Sequence, residues 1–273
     1  MTKRPNSLRH LDDAIRRMCA GSPEEFIKTR TLMANAIVAQ MLPDGVVKGG
    51  SAIKMRFGDT VTRFTTDLDT ATTMPPDLYA EQLNEALTKG WEGFTGRVVT
   101  REPAKPKDVP PEYVMRPFDV KLSYSGKPWC TVPLEVGYNE IGDAEETEWV
   151  RLYDVEKIFA ELGFPALNEV PLMPLSYQIA QKIHALTSGS DRVRDLIDLQ
   201  LIASNATIDL KATRRTCERL FAYRKMQAWP PTVEKQTNWE ELYAAQSIGL
   251  PVEQNLDRAC AWANNFIKAI ETR

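Results

Sequence analysis

The chain has 273 residues, 43 % hydrophobic and 26 % charged, with a formal net charge of −3. This composition is typical of a globular protein large enough for two lobes, and it excludes a disordered chain and a globally basic nucleic-acid binder. Only His10 and His184 are present and the four cysteines lack metal-ligand spacing, which disfavours a Ser-His-Asp hydrolase and a histidine-rich or cysteine-rich metal site. Because no apolar run could span a bilayer and no apolar signal segment opens the chain, we expect a cytoplasmic protein with no membrane association.

Two helices are predicted ahead of the first strand, over Ser7–Ala20 and from Ser22 to about Leu42. The first has an amphipathic pattern, and the second opens with Ser-Pro-Glu-Glu, a favourable helix N-terminus. Both are expected to pack on a sheet through their apolar faces.

A glycine-rich turn, KGGS, follows the β-branched pair Val46 and Val47. The backbone amides of Gly50 and Ser51 in such a turn can point at an anion. A short helix predicted over Ala52–Phe57 would direct its N-terminus at the same place. The turn is therefore a candidate phosphate-binding site.

Two carboxylates lie on the next predicted strand, Phe64–Thr70. Because side chains alternate across a strand, Asp67 and Asp69 share one face and converge where the turn would hold a phosphate. Their oxygens suit Mg²⁺ bound between the protein and substrate phosphates. Each pattern alone is more often an ordinary turn or a solvated strand, but their order along the chain favours a nucleotide site.

In this order, KGGSAIKMRFG followed by RFTTDLD, the stretch resembles the nucleotidyltransferase core of the DNA polymerase beta superfamily. It resembles more closely the AbiEii and MenT type of nucleotidyltransferase toxins from bacterial toxin–antitoxin systems. The spacing departs from the superfamily pattern, because fifteen residues separate Ser51 from Asp67 and predict a longer turn around Gly58. The resemblance implies an α+β fold, with a mixed-sheet nucleotidyltransferase core followed by a mostly helical C-terminal lobe.

The middle of the chain is predicted to supply the rest of the sheet. Its elements are a helix over Asp77–Lys89, a strand over Gly93–Arg101, an exposed proline-rich loop over Pro103–Tyr113, and two strands, Phe118–Tyr124 and Cys130–Tyr138, joined by a hairpin turn at Ser125–Pro128. In the superfamily a third carboxylate stands on a later strand beside the Asp pair. Glu135 fits that position best, Asp119 is the rival, and a plain solvent-facing glutamate is the alternative.

From Tyr153 onwards the pattern becomes helical, which predicts a core lobe over residues 1–165 and a helical lobe over residues 166–273. The predicted helices cover Pro171–Leu186, Asp191–Ala203, Leu210–Lys225 and about Val252–Ile270. At about 100° per residue Lys182 lies at the edge of an apolar stripe, facing a cleft or reaching water, whereas His184 lies on the opposite face. Asp195 and Asp198 lie opposite the apolar side of their helix, a position that is usually solvated.

The pairing of QKIHAL with RVRDLIDL resembles a second signature of the AbiEii and MenT family. It implies that Lys182 binds the triphosphate and that Asp195 is an active-site acid. Asp198 could hold either that role or a structural one.

A basic stripe is predicted on the helix over Leu210–Lys225. Its members fall within an arc of about 140°: Lys211, Arg214, Arg215, Arg219 and Lys225. An RNA backbone would be attracted to such a patch, and an ordinary solvated face is the equal alternative.

The resemblance implies a toxin that transfers a pyrimidine nucleotide from a nucleoside triphosphate to the 3′ acceptor end of tRNA, blocks aminoacylation, and is held in check by a cognate antitoxin. In this scheme Asp67, Asp69 and Glu135 hold Mg²⁺, while Gly50 and Ser51, together with Lys182, bind phosphates. A small molecule such as an antibiotic, or a protein side chain, could be the acceptor in the same chemistry. A non-catalytic nucleotide-binding protein is disfavoured by the intact Asp pair.

Overall fold

A computed structural model describes residues 3–58, 61–103, 114–189 and 191–273. These residues pack as two compact units. The sheet unit comprises the described residues of 3–58, 64–139 and 144–172, and the helical unit comprises those of 61–63, 140–143 and 173–273. The domain limits expected at residues 165 and 166 stay a prediction, and by packing the sheet unit extends to Leu172.

The sheet unit contains both helices and strands. In its described residues these are α1 (Leu8–Met18), α2 (Pro23–Ala39), β1 (Val46–Lys48), α3 (Gly49–Phe57), β2 (Leu68–Thr72), α4 (Pro76–Lys89), β3 (Phe94–Thr100), β4 (Arg116–Tyr124), β5 (Lys127–Tyr138), β6 (Glu148–Val150), α5 (Tyr153–Glu161) and β7 (Val170–Leu172). The predicted α+β class with a mixed sheet is confirmed.

The strands form one sheet in the order β3-β4-β5-β2-β1-β7-β6. β2 is parallel to β5 and β1 is parallel to β7, whereas the other neighbouring pairs are antiparallel. In the central pair of strands, the KGGS sequence begins at the last residue of β1, and the acid pair lies at the start of β2. Sheet pairing therefore places these two motifs next to each other.

One face of the central strands is covered by the hydrophobic core. Val47, Leu68 and Leu134 belong to this core, together with Met33 and Ile37 of α2. Because side chains alternate along a strand, the residues next to these in sequence point to the opposite face. Lys48, Asp69 and Glu135 are those neighbours, so the polar side chains lie on the face away from this core.

Two predictions at the candidate nucleotide site are wrong in their boundaries. The helix begins at Gly49 rather than Ala52, so Gly50 and Ser51 lie in its first turn. β2 begins at Leu68 rather than Phe64, so Asp67 precedes the strand. The backbone carbonyl of Asp67 accepts a hydrogen bond from the Ser51 hydroxyl, and the register of β2 with β5 begins only at Leu68.

The predicted hairpin between β4 and β5 is present with a tighter turn. Only Ser125 and Gly126 connect the strands, with φ values of +48° and +74°. Positive φ at both central residues is the requirement of a type I′ turn, whose twist matches that of a two-stranded ribbon. The proline-rich loop expected over Pro103–Tyr113 falls outside the described residues from position 104 onwards.

The helical unit contains α6 (Leu175–Leu186), α7 (Val193–Asn205), α8 (Leu210–Arg224), α9 (Trp239–Ser247) and α10 (Leu256–Glu271). Its core is built from Ile183, Leu196, Leu220 and Ile267, which are almost completely buried. The helix expected from Pro171 begins four residues later, because Pro171 lies in β7 and Pro174 is the N-cap residue. Across the described residues, every helix is too short or too polar to cross a membrane.

Candidate active site

The start of α3 presents unpaired backbone amides beside a carboxylate. Lys48 is the N-cap residue, and no side chain caps the helix. The first amides of α3 have no partner within the helix, so they form an anion-binding position. Gly49 has a φ of +65°, and a Cβ there would lie 2.2 Å from Oδ2 of Asp69. Glycine is therefore required at this position for both its backbone angle and the close approach of the Asp69 carboxylate.

Asp67 is held by two hydroxyl groups. The Ser51 hydroxyl donates a hydrogen bond to the backbone carbonyl of Asp67, and Ser51 is 2 % exposed. The buried Thr65 donates from Oγ1 to Oδ1 of Asp67 at 2.7 Å. The Ser51 side chain thus joins α3 to the residue before β2, and its backbone N–H remains the group that could face a phosphate.

Three polar residues form one row across adjacent strands. Lys48 of β1 pairs with Asp69 of β2, and Asp69 pairs with Glu135 of β5. Paired residues point to the same face, and neighbouring strands lie about 5 Å apart. Asp69 and Glu135 are therefore side by side and half-buried.

The rival acid, Asp119, lies one strand further from Asp69. It is on β4 opposite Pro133, and it accepts a hydrogen bond from Lys121 at 2.9 Å. Arg101 is a second basic neighbour at 3.8 Å. The register thus places Glu135, rather than Asp119, directly beside Asp69.

Divalent-cation chemistry can be judged from the donor set. Within the described ranges, no three His, Cys, Asp or Glu side chains converge as a metal site. Mg²⁺, however, commonly uses one or two carboxylates and completes its shell with water and substrate phosphates. Neighbouring carboxylates on Asp69 and Glu135, beside amides suited to phosphate, fit that kind of site.

The second pair of predicted site residues lies in a buried ionic cluster of the helical unit. Lys182 of α6 donates from Nζ to Oδ1 of Asp195 at 2.9 Å and to Oδ2 of Asp198 at 2.6 Å. Arg63 binds Asp198 through two hydrogen bonds, from Nε at 2.9 Å and from Nη2 at 3.1 Å. Asp195 and Asp198 are not part of the solvated face that such a position usually indicates, because both acids are buried and ion-paired.

The charges in this cluster stabilise one another. Burial alone raises the pKa of Asp198, but Lys182 and Arg63 hold that pKa below its usual value. Burial likewise lowers the pKa of Lys182, and Asp195 and Asp198 outweigh it, so the ammonium stays charged. Both oxygens of Asp198 are bonded, whereas Oδ2 of Asp195 has no hydrogen bond to any described residue.

His184 is also placed differently from the prediction. It is buried rather than on an outer face, its ring packs edge-to-face on Phe221, and its Nδ1 lies 3.1 Å from Arg224 Nη1. Burial, helped by the positive charge of Arg224, lowers the pKa of His184 to about 4. The imidazole is therefore neutral near pH 7.

With the geometry established, comparisons with known proteins identify the family. Residues 30–265 match the family described as nucleotidyl transferase AbiEii toxin of type IV toxin–antitoxin systems. The chain belongs to the AbiEii family. This match spans the Gly-Ser and Asp-x-Asp motifs of the sheet unit and the Lys182 and Asp195 positions of the helical unit, and it confirms the resemblance inferred from those motifs.

A solved structure with a TM-score above 0.5 agrees with this assignment at the level of the fold. MenT4, a nucleotidyltransferase toxin from Mycobacterium tuberculosis H37Rv, has a TM-score of 0.59 and 20 % identity, with 96 % of this chain and 89 % of that chain covered. JHP933 from Helicobacter pylori has a TM-score of 0.41 and 16 % identity, with 88 % and 89 % covered. Among curated proteins, none matches the sequence.

The basic stripe of this AbiEii-family chain lies on α8 and is only partly unpaired. Arg214 pairs with Glu218 at 2.8 Å, and Arg219 donates to the backbone carbonyl of Ile141. Lys211 and Arg215 are exposed and make no ion pair with any residue in the described ranges. These two side chains, with Lys225 at the helix end, form the available part of the stripe.

Sequence reasoning did not identify Arg63, Thr65 or Lys48. Arg63 and Thr65 stand four and two residues before Asp67, so proximity to the acid pair was a signal that could have found them. Lys48 stands directly before Gly49, and only the strand register reveals that it shares a row with Asp69. These three residues bind or adjoin the predicted acids.

Proposed function

We propose that this protein transfers a nucleoside monophosphate from CTP or UTP to the 3′ acceptor end of tRNA and thereby blocks aminoacylation. The observation that carries the transfer chemistry is the pairing of Asp69 with Glu135 beside the open N-terminus of α3. The pyrimidine preference and the tRNA acceptor rest on the resemblance to AbiEii and MenT toxins. The exposed Lys211 and Arg215 support a polyanionic acceptor.

In the proposed reaction an acceptor hydroxyl attacks the α-phosphate and pyrophosphate leaves. Asp67, Asp69 and Glu135 are the proposed Mg²⁺ ligands, and the bound ion would stabilise charge on the attacking and leaving oxygens. The backbone amides of Gly50 and Ser51 are proposed to bind phosphate oxygens, as helix N-termini do. Thr65 and the Ser51 hydroxyl position Asp67.

Lys182 and Asp195 are proposed to take part in the same reaction. Lys182 has a third ammonium hydrogen beyond the two it donates to Asp195 and Asp198, which supports a role in binding the triphosphate. Asp195 keeps an oxygen without a described partner, which supports it, rather than Asp198, as the active-site acid. Asp198 is then a structural residue that holds Lys182 and Arg63.

The family description also supports regulation by a second protein. We propose that a cognate antitoxin restrains the toxin, and that the protein acts in the cytoplasm, where its proposed acceptor is found. Growth arrest on expression of the wild-type chain, with normal growth of an Asp69→Asn strain, is the expected cellular outcome.

The decisive experiment uses purified protein, Mg²⁺, each α-labelled nucleoside triphosphate in turn, and total tRNA. We expect label from CTP or UTP in intact tRNA, and none in tRNA whose 3′-terminal diol has been oxidised with periodate. Equal labelling of oxidised tRNA would contradict transfer to the 3′ end. Label only in a small molecule or in protein would assign a different acceptor, and no transfer to any acceptor would overturn the function.

A further inference from the structure

Lys48 occupies an unusual position beside the proposed Mg²⁺ ligands. It pairs with Asp69 across β1 and β2, so its side chain leaves the sheet on the same face as Asp69 and Glu135. Its Nζ reaches over β5, where it lies 2.8 Å from the place a Cβ on Gly137 would occupy. The missing side chain of Gly137 therefore provides the space in which the ammonium group sits.

The ammonium group of Lys48 has no structural partner among the residues that the structure describes. Lys48 is half-buried, yet it makes no hydrogen bond or ion pair with any residue in the described parts of the chain. The buried Lys182, by contrast, contacts two carboxylates. A partly desolvated cation that forms no ion pair costs stability, and an arriving anion would offset that cost.

We infer that Lys48 is a further substrate-binding residue, which binds a phosphate oxygen when the nucleotide occupies the sheet unit. This inference rests on the proposed nucleotidyl transfer and adds a residue to it. Asp69 and Glu135 share the row of Lys48, but neither lies within ion-pair distance of its Nζ, so the ammonium remains available. Phosphate is the anion that the proposed reaction brings to this face, and the open amides of α3 begin at the residue that follows Lys48.

A phosphate at Lys48 could come from the donor nucleotide or from the acceptor strand, and kinetics separate these sources. Binding of the non-reactive analogue α,β-methylene-CTP in the presence of Mg²⁺ reports on the donor alone. The KM for tRNA reports on the acceptor. We expect Lys48→Met to weaken analogue binding at least about tenfold, and Lys48→Arg to recover part of it because it keeps the charge.

Gly137 offers a second, independent way to disturb the same ammonium. Gly137→Ala places a methyl group 2.8 Å from Nζ, which displaces the end of a flexible side chain without removing its charge. The same methyl group lies 3.3 Å from the backbone oxygen of Thr70, so β2 needs to give only by a few tenths of an ångström. We expect Gly137→Ala to weaken analogue binding in the same direction as Lys48→Met. Because both changes act on one group, the double variant should bind no more weakly than Lys48→Met alone.

The matched control is Lys127→Met, which removes an exposed lysine from β5 of the same sheet. It should leave analogue binding and the KM for tRNA unchanged, and melting curves should show that all variants are folded. Unchanged binding and unchanged KM for tRNA in Lys48→Met, or additive effects of Lys48→Met and Gly137→Ala, would overturn the inference. A raised KM for tRNA with unchanged analogue binding would assign the phosphate to the acceptor.

The analogue measurement does not require turnover, so it separates this inference from the proposed function. If wild-type protein binds the analogue but transfers nothing, the proposed reaction fails while the role of Lys48 is still measured. If wild-type protein transfers nucleotide and Lys48→Met is unaffected in every assay, only the role of Lys48 fails.

Discussion

Carboxylates occur in both units of this protein, in opposite electrostatic settings. In the sheet unit, Asp67 and Glu135 are half-buried and have no ion pair with any described residue. In the helical unit, Asp195 and Asp198 are buried and neutralised by Lys182, with Arg63 also on Asp198. Removing one member of a neutralised group leaves an uncompensated buried charge, whereas removing an unneutralised acid relieves repulsion. Substitutions of the sheet-unit acids should therefore change activity most, and substitutions in the helical-unit cluster should change stability most.

The largest expected effect comes from neutralising the sheet acids. Asp69→Asn and Glu135→Gln should each lower nucleotide transfer by about 10²- to 10³-fold, because a charge that supports the transition state is lost. The melting temperature of Glu135→Gln should stay the same or rise, since this acid has no ion pair to any described residue that its neutralisation would break. Initial rates of CTP incorporation and melting curves measure both quantities. Asp77→Asn, which changes an exposed acid of the same unit, is the control, and full activity in both site variants would contradict the metal assignment.

Substitutions in the helical cluster should lower the stability of the protein. Lys182→Met leaves Asp195 and Asp198 buried with one cation fewer, and it should lower the free energy of unfolding by about 3–5 kcal/mol. Adding Asp198→Asn removes one of the excess charges and should recover part of that loss. Urea unfolding of the single and double variants measures the change.

Transfer activity of the recovered double variant then tests phosphate binding separately from stability. A folded double variant with wild-type activity would remove Lys182 from the reaction. A Lys182→Met protein as stable as wild type would contradict the ionic cluster itself.

A smaller effect is expected from His184. Its pKa of about 4 in the folded chain lies below the ordinary value of about 6.5 expected when unfolded. The unfolded chain therefore takes up a proton first as pH falls, and stability is lost between pH 6.5 and 4, by up to about 3 kcal/mol. The lowered pKa of Asp198 costs stability only below about pH 4, so the two effects separate. In urea unfolding measured across this pH range, the free energy of unfolding should depend less on pH for His184→Gln than for wild type. An unchanged pH dependence would show that His184 does not cause the loss of stability.

The smallest expected effect concerns α8. Reversing Lys211 and Arg215 to Glu should weaken tRNA binding by about tenfold at moderate salt and reduce its salt dependence. Analogue binding should not change. Arg214→Gln is the matched control, because that charge is already paired with Glu218 on the same helix. Unaltered tRNA affinity would show that the stripe is an ordinary solvated face.

The contrast between the units also shows what could be predicted from the sequence and what could not. The acid pair and the KGGS motif were recognised because their order is visible along the chain, and the structure places them at the adjoining ends of β1 and β2. The burial of Asp195 and Asp198 was missed, because their counter-charges come from Lys182 on another helix and from Arg63, more than a hundred residues away in sequence. Helical periodicity reports which face is polar, and it cannot report that a polar face is buried against cations.

Short strands and helix starts were the other features that the sequence did not predict. β6 and β7 have three residues each, too few for an alternating pattern, and their strand character depends on pairing with each other and, for β7, with β1. Gly49 was expected in a turn. In the structure it is the first residue of α3, and its positive φ makes glycine necessary there. The existence of the long helices was predicted correctly. Their first residues were predicted less well, because prolines such as Pro174 decide where a helix begins.

The path of the chain between the units has a consequence for how this protein can evolve. Residues 61–63 and 140–143 belong to the helical unit although they lie inside the sequence of the sheet unit. One recombination event near residue 172 would therefore import a new set of helices and leave the resident Arg63 in place, so the imported helices would have to match it. Lineages that exchange the C-terminal half must inherit a compatible residue at position 63 as well, so the two halves of the gene are constrained to change together.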